Sequence, residues 1–178
     1  MKKAIVTGAT GAVGTALVNK LISENVETLV LVRKGGRVNK IPQNPLVKIA
    51  YCSLDEMADF QNTDNEKYDV MFHLAWAGPY GKDRNDMFLQ TDNIKNELEA
   101  VKLAKRFGCE TFVGAGSQAE NGRLKDGEKV SPTSPTNPDN GYGIAKLAAG
   151  KMSRILCSQL GMKHIWCRIL SAYGPGDG

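Results

Sequence analysis

Thr7-Gly8-Ala9-Thr10-Gly11-Ala12-Val13-Gly14 puts glycines at 8, 11 and 14 between two segments of different hydrophobic period. In front of it, Ala4-Ile5-Val6-Thr7 is an apolar run too short for a helix, and Gly8 stops it. Behind it, Val13, Ala16, Leu17 and Leu21 recur at steps of three and four, one face of a helix. The pattern predicts a strand, a tight turn and a helix in that order. Glycine lets the backbone turn sharply and bring its N–H groups close to a ligand. The start of a helix adds partial positive charge. Together they suit a pyrophosphate. Gly8, Thr10, Gly11, Ala12, Val13 and Gly14 are therefore predicted to hold the phosphates of a dinucleotide; the alternative is a plain strand–helix turn.

The rest of the chain alternates in the same way. Thr28–Val32 is β-rich and nearly all apolar, as in a strand covered on both faces. Leu46–Cys52 and Tyr68–Ala75 read as the third and fourth strands. A long helix follows, with Ile94, Leu98, Val101 and Ala104 on one face and Gly108 as its stop. Glu110–Ala115 is a fifth strand, Tyr142–Leu160 a helix ended by Gly161, and His164–Leu170 a sixth strand. Alternation of this kind predicts an α/β fold, a doubly wound parallel sheet with helices on both faces. The 178 residues make one domain, 1–178. The stretch from Gln118 to Gly141 has no period and carries Pro132, Pro135 and Pro138; it reads as a substrate-facing loop.

Composition narrows the partners. Lys and Arg number 23 against 19 Asp and Glu, a net charge of +4, and the basic residues are scattered. That predicts no nucleic-acid partner while leaving small anions as natural ligands. No apolar run approaches membrane-spanning length, so no membrane partner is expected. Thr7, Gly8, Thr10 and Gly11 interrupt the apolar start before a signal-peptide core can form. Cys52, Cys109, Cys157 and Cys167 make no C-x-x-C pair, predict neither metal site nor disulfide framework, and read as thiols in a reducing cytoplasm. His73 and His164 read as core or sheet-edge residues.

Two further signals carry chemistry. A site selective for NAD places an acid at the end of the second strand to accept from the ribose 2′-hydroxyl. Here that strand ends Leu31-Val32-Arg33-Lys34, with Glu27 at the wrong end. Arg33 suits a 2′-phosphate instead, so NADP is the preferred cofactor and NAD the alternative; Arg33 as plain solvated surface is the other reading. Tyr142-Gly143-Ile144-Ala145-Lys146 puts a phenol and an amine on one helix face. A nearby ammonium stabilises a phenolate, making the tyrosine usable as an acid or base near neutrality. Ser117 follows the fifth strand, at the sheet edge where ligands bind; an N-cap serine is the alternative.

With these residues in place the chain resembles the extended short-chain dehydrogenase/reductase family of NAD(P)-dependent sugar-nucleotide epimerases and dehydratases. The resemblance rests on TGATGAVG at 7–14, HLA at 73–75, Asn93, GSQAENG at 116–122, YGIAK at 142–146 and RILSAYGPGD at 168–177. It implies a Rossmann-like fold. It further implies that Ser117 holds the substrate oxygen, that Tyr142 is the acid/base and that Lys146 tunes Tyr142 and contacts the cofactor ribose. Asn93 would be a structural and proton-relay residue at the cofactor, and Leu54, Leu74 and Ala75 would line the cofactor. Tyr173-Gly174-Pro175 would lie beside the nicotinamide. WAGPYGKDRND at 76–86 and SQAE at 117–120 look most like the branch acting on nucleotide deoxysugars, CDP-linked ones included. In that branch Trp76, Arg84, Gln118 and Glu120 would face substrate; Trp76 reads equally as core and Arg84 as surface.

The chain departs from the family in three places. Ser53-Leu54 stands where the family has Asp-Leu, with Asp55 one place late, and Asn121 stands where it often has Tyr. Members also continue past YGPGD into a substrate-binding lobe, so the sequence reads as truncated before that lobe. The resemblance implies hydride transfer at a carbon of a nucleotide sugar, by an epimerase or ketoreductase. Dehydratase ranks last, since Glu120 is the only acid just after Ser117. A homodimer through the two long helices is expected. The alternative is a dinucleotide-binding regulatory or inactive fragment.

Overall fold

The computed structural model describes residues 1–123, 127 and 129–174. Its elements are β1 (Lys3–Thr7), α1 (Ala12–Ser23), β2 (Glu27–Val32), β3 (Val47–Tyr51), β4 (Val70–His73), α2 (Met87–Arg106), β5 (Thr111–Ser117), α3 (Gly141–Gln159) and β6 (Lys163–Ile169). Short 3-10 turns occupy Val38–Lys40, Gly81–Asn85 and Gln118–Asn121. The strands form one parallel sheet in the order β3-β2-β1-β4-β5-β6. The fold is the expected Rossmann-like doubly wound sheet. From β1 the chain winds outward to β2 and β3, then crosses back to β4 and continues to β6. Ligands of such sheets bind outside the carboxyl ends of the strands where the winding reverses. That point lies between Thr7 and His73, which are register partners at the ends of β1 and β4.

Two apolar layers hold the sheet. On one face Ile5, Leu29, Met71 and Phe112 pack under Val101 and Ala104 of α2, Phe107 just after it, and Cys157 of α3. On the other, Ala4, Val6, Val30 and Val70 pack against Val18 and Leu21 of α1. Trp166 of β6 fits beneath α3 in a slot left by three glycines: a Cβ at Gly114, Gly116 or Gly150 would lie 2.4, 2.4 or 2.5 Å from the indole.

The structure corrects several expectations. β4 is shorter at both ends than Tyr68–Ala75, because the chain beyond His73 bends into the cleft. β5 runs to Ser117, so the serine is the last strand residue. Part of the expected loop is a tight 3-10 turn at Gln118–Asn121; Leu124, Lys125, Asp126 and Glu128 of that loop lie outside the described residues. The buried stripe of α1 is Gly14, Val18 and Leu21, while Val13 is 41% exposed. The buried stripe of α2 is Gln90, Asn93, Glu97, Ala100, Val101, Leu103 and Ala104, with Ile94 and Leu98 only half-buried beside it. Three of those seven residues are polar, so apolar spacing finds Val101 and Ala104 but misplaces the N-terminal half of the stripe.

Candidate active site

A cleft of ≈ 1720 Å³ opens along the carboxyl edge of the sheet. It exceeds the ~300–1,000 Å³ of ordinary small-ligand pockets. Its near end is the glycine turn. Gly8 has φ +70, and a Cβ there would lie 2.7 Å from the Ala75 nitrogen. A Cβ at Gly14 would lie 2.2 Å from the Gly8 oxygen. α1 therefore starts hard against β1, with Thr10, Ala12 and Val13 along the cleft. No acidic residue occupies its first turn and no side chain caps Gly11, so its N-terminal N–H groups and positive end face the cleft uncompensated. Beneath the turn, the Thr7 hydroxyl accepts the Leu74 and Ala75 N–H groups, each at 3.2 Å. That ties the end of β1 to the chain after β4 and sets Leu74 and Ala75 in the wall.

Farther along, Arg33 stands exposed just past the end of β2 and lines the cleft with Gly35, Gly36 and Arg37. Half-buried Leu54 lines it from the end of β3. Asp55 also reaches it, accepting a 2.5 Å hydrogen bond from Ser53 Oγ.

Ser117, Tyr142 and Lys146 meet at the far end of the cleft. Ser117 caps the Gln118–Asn121 turn: its Oγ accepts the Ala119 N–H at 3.2 Å, and its own N–H donates to Glu120 Oε1 at 2.7 Å. Ser117 is thus an N-cap that also lines the cleft. α3 approaches this turn closely because a Cβ at Gly143 would lie 2.4 Å from the Ala119 oxygen. Asn140 Oδ1 caps α3 by accepting the Gly143 N–H at 2.9 Å, and Tyr142 follows in the first turn. Burial pushes the Tyr142 phenol above its ordinary range; the Ser117 hydroxyl and then the Arg84 guanidinium offset part of this. Arg84 lies 4.5 Å over the Tyr142 ring. Lys146, one turn on, is 3% exposed and donates to the Ala115 carbonyl at 2.7 Å. Its ammonium sits 3.6 Å from the centre of the Trp76 ring. The expectation that Lys146 lowers the tyrosine is thereby modified: the cation stacked on Tyr142 is Arg84, and burial outweighs it.

Trp76 is half-buried, between the core and the cleft. It lines the cleft, meets Tyr142 edge-on at 6.0 Å, and anchors its Nε1 on Gln90 Oε1 at 2.9 Å. Gln118 is exposed in the cleft. Asn93 does not reach it: its amide exchanges two hydrogen bonds with Ala77, at 3.0 and 2.8 Å, and so holds the loop after β4. Glu120 is 2% exposed and accepts Trp166 Nε1 at 3.0 Å, so it faces inward and not toward substrate. Asn121 is also buried, joining Pro135 and Arg168. Tyr173 is 92% exposed, and Pro175 lies outside the described residues.

Sequence reasoning missed the polar layer beneath this floor. Glu97, 0% exposed, points from α2 toward His73, with Oε2 3.7 Å from Nε2. Its only signal was an acid at the i+4 step from Asn93 on a helix whose neighbouring positions are apolar.

Residues 4–178 match the sequence profile of the NAD dependent epimerase/dehydratase family. The chain is similar to the uncharacterized UDP-glucose epimerase YtcB of Bacillus subtilis, with 25% identity over 97% of this chain and 57% of that protein. It is similar to GDP-L-fucose synthase of Sinorhizobium fredii, with 24% identity over 99% of this chain and 53% of that protein. It superimposes on UDP-glucuronic acid 4-epimerase from Bacillus cereus in complex with NAD, with TM-score 0.80 and 19% identity over 98% of this chain and 58% of that one. The chain thus spans little more than half the length of these relatives.

Proposed function

The chain belongs to the NAD dependent epimerase/dehydratase family, and from that premise we propose that it forms the cofactor half and the Ser/Tyr/Lys centre of a nucleotide-sugar epimerase or ketoreductase. The observation that carries this is Tyr142, in one cleft with the glycine turn, beside Ser117 and under Arg84. The turn fits a dinucleotide because the two glycines that no side chain can replace, Gly8 and Gly14, bring bare helix N–H groups to the cleft. When bound, the nicotinamide supplies a hydride acceptor or donor. Arg33, with no acid at the end of β2, supports NADP over NAD.

In this reading Tyr142 removes or returns the proton of a sugar hydroxyl. Ser117, fixed by its capping box, hydrogen-bonds the same oxygen and holds it in line. Arg84 offsets charge on the phenolate from the ring face, and Lys146 supplies positive charge at the base of the centre. Trp76 and Gln118 border the substrate. The inward turn of Glu120 leaves the cleft without the acid a dehydratase would use beside the serine. A homodimer through α2 and α3 belongs to the same reading, supported by Ile144, Met152 and Ile155 exposed along α3. Tyr142→Phe in the full protein is expected to cut turnover at least ~10³-fold while NADPH binding stays within twofold; removal of an acid–base group typically costs 10²–10⁴. Turnover within tenfold of the parent would overturn the assignment, and a chain that binds neither cofactor would favour a fragment without activity of its own.

A further inference from the structure

Lys146 is a cation almost wholly covered at the floor of the cleft. It is 3% exposed, and among the described residues its one hydrogen-bond acceptor is the neutral Ala115 carbonyl. A buried ammonium so placed loses its proton unless a negative charge lies near. Two carboxylates lie nearby, neither close enough for a direct ion pair; Glu97 packs over Gly114, and Lys146 bonds the carbonyl of the next β5 residue, Ala115. Glu120, from the turn after β5, is committed: its oxygens accept the Ser117 N–H and the Trp166 Nε1–H. Glu97, from α2, is not; among the described residues neither of its buried oxygens has a hydrogen-bond partner. The structure makes room for it, since a Cβ at Gly114 would lie 2.9 Å from Oε1. A carboxylate with no bond to the fold adds nothing to stability and costs desolvation, so its presence at full burial calls for another role.

The neighbours of Glu97 narrow that role. From β4, His73 faces it. Thr7 Oγ1 already accepts two N–H groups, so its own proton goes to His73 Nδ1, 2.9 Å away. His73 therefore carries its ring proton on Nε2, pointed at Glu97 Oε2 3.7 Å away. From α3 come Lys146 and the buried Cys157 thiol, which feels the Glu97 charge. His164 of β6 is engaged with Ser153 at 2.9 Å. Lys146 is thus the cation among the titratable groups that face Glu97 from these elements.

We propose that Glu97 is the buried counter-ion of Lys146, a positioning residue that keeps the ammonium charged beneath the Ser117–Tyr142 centre. Burial drives both groups toward neutrality, Glu97 upward and Lys146 downward, and each one's charge pulls the other back. The catalytic consequence rests on the assignment of Lys146 to the centre proposed above; the coupling itself does not.

The test is a pH titration of this chain by NMR, with ¹³C at the glutamate carboxyls and ¹⁵N at the lysine side chains. In the parent, Glu97 is expected to titrate above the ordinary carboxylate range. In Glu97→Gln, which keeps the shape, the Lys146 midpoint is expected to fall by at least one pH unit. In Lys146→Met, the Glu97 midpoint is expected to rise by at least one. Midpoints unchanged within 0.3 unit in both variants would overturn the proposal. In the full protein, Glu97→Gln should also move the alkaline limb of the kcat profile to lower pH, with thermal stability at or above the parent's. NMR shifts without that movement would leave the counter-ion standing and remove Lys146 from the reaction.

Discussion

His73 is neutral by construction: it accepts the Thr7 proton on one nitrogen and is 2% exposed. Burial, and then the Lys146 charge, lower its pKa from 6.5 to about 3. A group whose pKa falls on folding stabilises the fold above its unfolded value and loses that contribution as pH drops toward the folded one. The window is therefore pH 6.5 down to about 3. Across it the folding equilibrium constant is expected to fall by as much as tenfold per pH unit on account of this residue. Surface carboxylates with lowered pKa, such as Asp55 and Asp69, add their own loss only nearer pH 4. His73→Phe keeps the ring volume and removes the proton site, so denaturant melts between pH 6.5 and 4.5 should show a flatter curve. Parallel curves would mean that the imidazole can be charged inside the fold.

At the level of elements, the β1–α1 turn separates two kinds of glycine. Gly14 is a packing requirement, with the Gly8 oxygen 2.2 Å from any added Cβ. Gly11 has ordinary extended geometry at φ -84, and its nearest neighbour would be 3.6 Å from a Cβ. Gly14→Ala should therefore destabilise by about 1–3 kcal/mol, the range for overpacking. Gly11→Ala should cost under about 1 kcal/mol, the loss of a tolerable cap, yet weaken NADPH binding at least tenfold by placing a methyl in the cleft. Equal losses of stability would show that the two positions are not distinct. The strand, turn and helix were legible in the sequence because glycines at 8, 11 and 14 part a short apolar run from a segment of helical period. The α2 stripe was not. Apolar periodicity finds Val101 and Ala104 but discards Gln90, Asn93 and Glu97, which are buried with them, Gln90 and Asn93 holding Trp76 and Ala77. The meeting of Ser117 with Tyr142 was readable as chemistry but not as geometry, since it depends on the missing Cβ of Gly143 against Ala119.

For the molecule as a whole, the cleft lies across the reversal of winding and touches both halves of the sheet, from Arg33 after β2 to Ser117 on β5. A ligand there binds the folded state and not the unfolded one. At 100 times its Kd it adds about 2.7 kcal/mol, or about 5–10 °C in Tm for a chain of this size. NADPH is expected to reach this shift at lower concentration than NADH, as thermal melts at matched concentrations would show; the reverse order would sink the role of Arg33. The chain has two tryptophans, and both lie against one ammonium, Trp76 at 3.6 Å and Trp166 at 5.8 Å from Lys146. Excited at the red edge, where tryptophan absorbs and tyrosine does not, the protein emits from these two indoles alone, one lining the cleft and one beneath α3. The molecule carries an unlabelled optical gauge there, one indole bordering the space a cofactor would fill and both within reach of the same amine.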